Sequence, residues 1–153
     1  MMEYEKISEN CKILWKENFE LTTEKYTQVS GYIFNDNNEL LIVRNENTWT
    51  IPGGHPELYE YTIGTLVREV MEEACVTIKD IKYLGAVEVI ENDEKYYQLR
   101  FFARVDKLLE FNKEFEISER KFVKLEDLKQ YIKWCDGVMF KAQLDSAKKI
   151  LNI

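Results

Sequence analysis

Residues 49–76 read WTIPGGHPELYEYTIGTLVREVMEEACV, and most of the chain's backbone punctuation falls inside them: both prolines, Pro52 and Pro56, and three of the six glycines, Gly53, Gly54 and Gly64. Thr48-Trp49-Thr50-Ile51 is a short β-branched and aromatic run, so it reads as a strand that Pro52-Gly53-Gly54 ends. From about Tyr61 to Ala74 the pattern turns helical. At roughly 100° per residue, Ile63, Leu66, Val67, Val70, Met71 and Ala74 form one apolar stripe. Glu69, Glu72 and Glu73 gather on the opposite side, within about 100° of arc.

Carboxylates at i, i+3 and i+4 repel one another by a few tenths of a kcal/mol per pair. The nearest cation is Arg68, at the edge of the apolar stripe. Three hard oxygen donors with no lysine among them suit Mg²⁺ or Mn²⁺; taken alone, the same residues also describe a solvated acidic face. The double glycine ahead of the helix lets the backbone approach a ligand and turn its N–H groups toward an anion.

Outward from this stretch, Thr27–Phe34 and Leu40–Val43 read as a hairpin across Asn35-Asp36-Asn37-Asn38. Tyr83–Ile90 and Tyr96–Val105 read as two strands joined by Glu91-Asn92-Asp93-Glu94. The second strand alternates, with Tyr97, Leu99, Phe101, Ala103 and Val105 on one face and Tyr96, Gln98, Arg100, Phe102 and Arg104 on the other. Lys121–Lys124 is a further strand. The spacing predicts a helix from Leu125 to Cys135 and another over Phe140–Leu151, parted near Asp136-Gly137. Residues 1–24 carry no signature.

The 153 residues carry a formal net charge of −7. That length supports one domain with its own core, read here as residues 1–153 with 1–24 as an N-terminal extension and 136–153 as a C-terminal helix. The acidic balance argues against a nucleic-acid grip, which needs a basic surface. Cys11, Cys75 and Cys135 are an odd number, 64 and 60 residues apart, so no disulfide framework is read and a cytoplasmic setting is expected. The charged N-terminus and the lack of a long apolar run predict neither export nor a membrane span. His55 is the only histidine, which excludes a multi-histidine zinc site.

Read together, residues 54–76 resemble the Nudix box, G-x5-E-x7-R-E-U-x-E-E-x-G-U, where U is aliphatic. Gly54, Glu60, Arg68, Glu69, Val70, Glu72, Glu73 and Val76 match, and Cys75 stands where the box has its second glycine. That position follows the helix, where a left-handed residue is expected. A non-glycine residue there costs on the order of 1 kcal/mol if the left-handed conformation is kept.

The resemblance implies an α/β fold, a three-layer α/β/α sandwich with a mixed β-sheet. It also implies a hydrolase that cleaves the pyrophosphate linkage of a nucleoside diphosphate derivative with Mg²⁺ or Mn²⁺. It makes Glu69, Glu72 and Glu73 metal ligands beside the Gly54 backbone, with Glu69 a candidate base and Arg68 orienting a glutamate. Gly53, Gly54, His55, Glu60 and Arg100 are the expected substrate contacts, and Glu116 and Glu119 the candidates for a further acid from a later loop. A nucleotide-sensing or partner-binding domain without catalysis is the alternative. Capped or triphosphorylated RNA ends fit the acidic charge poorly. The apolar N-terminal residues Ile13, Leu14, Trp15 and Phe19 are a candidate homodimer surface.

Overall fold

The computed structural model describes residues 3–112 and 117–153, without the side chain of Ser118. Its described strands are β1 (Glu5–Ser8), β2 (Cys11–Glu17), β3 (Tyr26–Phe34), β4 (Leu40–Asn45), β5 (Thr48–Thr50), β6 (Gly53–Gly54), β7 (Val76–Glu91), β8 (Glu94–Leu108) and β9 (Ile117–Val123). Two helices accompany them, α1 (Thr62–Ala74) and α2 (Val138–Leu151).

All the strands join one sheet in the order β1-β2-β7-β8-β3-β4-β5, with β6 added to β3 and β9 to β4. The sheet is mixed: β3 and β8 run parallel, Val29 opposite Leu99 and Ile33 opposite Ala103, while the other pairs are antiparallel. Asn92 and Asp93, both at positive φ, close the two-residue turn between β7 and β8.

Period-two alternation assigns each side chain to a layer. Val29, Ile33, Leu41, Val43, Ala86, Leu99 and Ala103 face α1, whose Leu66, Val70 and Ala74 complete that core. Tyr32, Phe34, Leu40, Ile42, Val87 and Phe102 face the other way, under Met139, Phe140, Leu144 and Ala147 of α2. The result is the expected α/β/α sandwich.

Four expectations need correction. The N-terminal residues read as featureless form β1 and β2, and β2 pairs with β7 from Cys11–Glu91 to Glu17–Gly85. Trp15 is buried under α2, its indole N–H donating to Ser146 Oγ at 3.1 Å, and Phe19 stacks on Tyr97. These side chains expected on a dimer face therefore pack inside this chain. The predicted β3–β4 hairpin closes only at Phe34–Leu40, because β4 lies along β9 instead, Leu40 opposite Val123 through Arg44 opposite Glu119. The segment predicted as a helix over 125–135 is a 3-10 turn over Leu125–Gln130, since Leu128 and Ile132 reach the core from a short, mostly polar segment. On α1 the apolar stripe is wider than the sheet surface beneath it, so Ile63 and Val67 remain exposed. No described helix is long and apolar enough to cross a membrane.

Candidate active site at the start of helix α1

The strand Thr48–Thr50 and the short β6 bring the chain back across β3 immediately before α1. Gly53 lies so close to β3 that a Cβ there would collide with Ser30 Oγ and the Val29 carbonyl. A Cβ at Gly54 would stand 2.5 Å from the carboxyl carbon of Glu69. The two glycines thus let a backbone edge sit directly against a helix carboxylate. The Gly53 N–H donates to Glu73 Oε1 at 2.7 Å, which ties the last glutamate of the helix face to the same loop.

Arg68 organises the remaining acids. Its Nε donates to Glu60 Oε2 at 2.7 Å and one terminal nitrogen to Glu60 Oε1 at 3.1 Å, a bidentate pair. The other terminal nitrogen donates to Glu69 Oε1 at 2.7 Å and Glu72 Oε2 at 3.3 Å, with Glu57 3.6 Å away. A further N–H reaches the carbonyl of His55 at 3.0 Å, so the guanidinium also pins the loop. The Glu60 carboxylate accepts from Thr65 Oγ1 at 2.6 Å and from the Glu57 N–H at 3.0 Å as well. Hydrogen bonding from Arg68, then from Glu57 and Thr65, holds its pKa down at about 2. Saturated in this way, Glu60, expected among the substrate contacts, is a brace for Arg68.

Glu69 differs. Burial pushes its carboxyl up from the ordinary value, Arg68 opposes that, and the neighbouring charges of Glu72 and Glu60 add to it. Glu72 stands more in solvent, its side chain 45% exposed against 16% for Glu69. The His55 ring is tied back to β3, Nδ1 donating to the Thr27 carbonyl at 2.5 Å, which leaves Nε2 as the outward nitrogen.

At the far end of α1, Cys75 adopts the left-handed conformation expected at the missing glycine, φ 54° and ψ 47°. Arg120 on β9 compensates the helix end by donating to the carbonyls of Ala74 at 2.7 Å and Cys75 at 3.2 Å. Alternation along β9 then turns Glu119 to the opposite sheet face, where it meets Arg44 at 3.2 Å, away from the box carboxylates. Glu116 lies outside the described residues.

Arg100 is also brought to a different place. It lies on the α2 face of β8, on a pocket of about 420 Å³ that adjoins β6 through Ser30 and Ile51. Thr65, Glu57 and Arg120 escaped sequence reading because they act through hydrogen bonds that no spacing encodes.

The family model for the NUDIX domain matches residues 25–142. The chain belongs to the NUDIX family. By sequence no curated protein matches it. Its fold is similar to that of a mutant of the Bacillus subtilis pyrophosphohydrolase BsRppH, with a TM-score of 0.82 at 19% identity over 97% of this chain and 98% of that one. It is also similar to a Caenorhabditis elegans Ap4A hydrolase, TM-score 0.64 and 18% identity over 82% and 96% of the two chains. The NUDIX domain of Shewanella oneidensis NrtR, solved with ADP ribose, has a TM-score of 0.63 at 17% identity over 88% and 94%.

Proposed function

We propose that this chain hydrolyses the pyrophosphate linkage of a nucleoside diphosphate derivative, using Mg²⁺ or Mn²⁺ held by Glu69, Glu72, Glu73 and the Gly54 carbonyl. The observation that carries this reading is the contact of Glu69 with Gly54: a half-desolvated carboxylate set against open backbone, beside two more acids. Among the described residues no three acids already stand converged as a metal cage. The donor set nevertheless fits a hard divalent cation, because all of its atoms are oxygens and the Glu69–Glu72 repulsion is relieved by positive charge.

Bound there, a divalent ion would neutralise phosphate charge and lower the pKa of an attacking water. Glu69 would take that water's proton on a carboxylate oxygen. Arg68 fixes the orientation of Glu69 and Glu72, Glu60 and Thr65 fix Arg68, and Glu73 holds the Gly53 edge of the floor. His55 Nε2 faces the approach to the loop. Chromatographic detection of the monophosphate products formed from nucleoside triphosphates, nucleotide sugars, ADP-ribose and dinucleoside polyphosphates, run beside Glu69→Gln, tests the proposal. Turnover of one class by the native chain and its loss in the variant are the expected results.

The second reading is nucleotide sensing without catalysis. It is favoured by the grip of Arg68 on Glu69 and Glu72, which would have to loosen for a metal to enter. Nucleotide-dependent stabilisation with no turnover under any divalent metal would select it.

A further inference from the structure

The α2-side pocket is built around a half-buried cation with which no described carboxylate pairs. Arg100 donates from Nε to Gln143 Oε1 at 3.1 Å, from one terminal nitrogen to Gln28 Oε1 at 3.0 Å and the Leu99 carbonyl at 3.2 Å, and from the other to Gln98 Oε1 at 3.2 Å. Every one of these acceptors is neutral, and among the described residues no carboxylate pairs with Arg100. Burial pushes its pKa down accordingly. Tyr32, itself fully buried, also donates to Gln143 Oε1 at 2.8 Å.

Arg100 therefore fixes the direction of three side chains at once. A guanidinium has only donors, so each glutamine must turn its carbonyl toward it. The three carboxamide NH2 groups then point the other way, with no partner among the described residues, and all three glutamines line the cavity. The pocket wall thus carries three amide donors, with one carboxylate, Glu5, whose Oε1 already accepts from the Met139 N–H at 2.8 Å, while Ile51, Trp134 and Phe140 add flat and apolar surface.

We infer that this pocket seats the nucleobase of the substrate and selects a keto edge, the O6/N7 acceptor pair of a guanine or hypoxanthine, over adenine. Guanine offers two acceptors along that edge, whereas adenine offers N7 together with an N6 amino donor that meets the glutamine NH2 groups donor to donor. A site built of unpaired donors rejects the mismatched edge strongly, because its own polar groups are left unsatisfied. Ser30 and Ile51 connect the pocket to the Gly53–Gly54 loop, which places the base on one side of β6 and the phosphates on the other. The catalytic consequence rests on the hydrolase reading above; the binding preference does not.

The test is calorimetric titration of the metal-free chain with GMP, IMP, AMP and inorganic phosphate, for the native sequence, Gln98→Glu and Gln28→Leu, with melting temperatures confirming that each variant is folded. GMP and IMP should bind at least about 10-fold more tightly than AMP. Gln98→Glu keeps an acceptor for Arg100 but replaces an outward donor with an acceptor, so it should cut that ratio by about 10-fold or reverse it. Gln28→Leu removes one donor and should narrow the ratio without reversing it. Equal binding of AMP and GMP, phosphate binding as tight as GMP, no binding of any mononucleotide, or a uniform loss across bases in Gln98→Glu would each overturn the inference. Keto-selective binding with no hydrolysis under Mg²⁺ or Mn²⁺ would sink the hydrolase reading and leave this one standing; hydrolysis with no base preference would do the reverse.

Discussion

Arg68 and Arg100 are both held by several hydrogen bonds, yet one is surrounded by carboxylates and the other by amides. Arg68 meets Glu60, Glu69, Glu72 and Glu57. These acids raise its pKa, the Glu60 hydrogen bond most of all, and its charge is cancelled where it stands. Arg100 meets Gln28, Gln98 and Gln143, and burial lowers its pKa with no anion to offset it. A neutralised guanidinium is a scaffold that positions its partners, whereas a desolvated one facing a cavity calls for an acceptor from outside. Position in the fold agrees with this division, since Arg68 lies on the box helix and Arg100 on the opposite sheet face.

Glu88 sharpens the comparison, being a buried charge with its counter-ions present. Its side chain is 1% exposed, with Lys16 at 3.1 Å and Lys95 at 3.5 Å; Tyr97 donates at 2.9 Å and Tyr4 also donates. Burial by itself would raise its pKa, but the hydrogen bonds from Tyr4, Lys16 and Tyr97 win and hold it at about 2. Glu88→Ala should cost about 3 kcal/mol of stability, because two ammonium groups and two hydroxyls lose their common partner; urea denaturation at neutral pH measures it. The folded pKa is depressed from the ordinary 4.5, so the contribution is fully present above that value and lost as pH falls toward about 2. Glu88→Gln should flatten the stability profile in that window.

Next in size, Arg68→Ala should lower kcat by about 100-fold through misplacement of Glu69 and Glu72 while changing KM little. An unchanged kcat would show that Arg68 orients nothing of consequence. Arg100→Lys should do the opposite. Lysine cannot hold three glutamines in one plane, so KM for guanine nucleotides should rise about 10-fold with kcat nearly kept, as steady-state kinetics would show.

The smallest effect concerns the helix end. Cys75→Gly relieves a left-handed non-glycine residue and should stabilise the chain by about 1 kcal/mol, raising Tm by about 2–4 °C. The loss of the Asn112 N–H contact to Cys75 Sγ at 3.4 Å offsets little of this, since thiols are weak acceptors.

The box could be read from sequence because its parts are local: a strand, two glycines and one helix face fix Gly54, Arg68, Glu69, Glu72 and Glu73 within a few turns of chain. Cys75 was legible for the same reason, and its φ is the one the box position demands. The glutamine pocket was not, because Gln28, Gln98 and Gln143 lie on β3, β8 and α2 and meet only after the sheet is assembled. Long-range pairing also hid β2, whose partner β7 is distant in sequence and whose mostly half-buried side chains blur the alternation. Glu119 was expected on a loop, but β9 begins at Ile117, ahead of the predicted strand, and within a strand alternation decides which face a side chain takes.

The most direct test of the central claim is a single-turnover assay of pyrophosphate-bond cleavage with Mg²⁺ or Mn²⁺, comparing the native chain with Glu69→Gln. A nucleoside diphosphate derivative cleaved by the native chain, with the rate falling by about 1,000-fold or more in the variant while nucleotide binding persists, is the predicted result. Cleavage unchanged in Glu69→Gln would contradict the assignment of the reaction to the helix face.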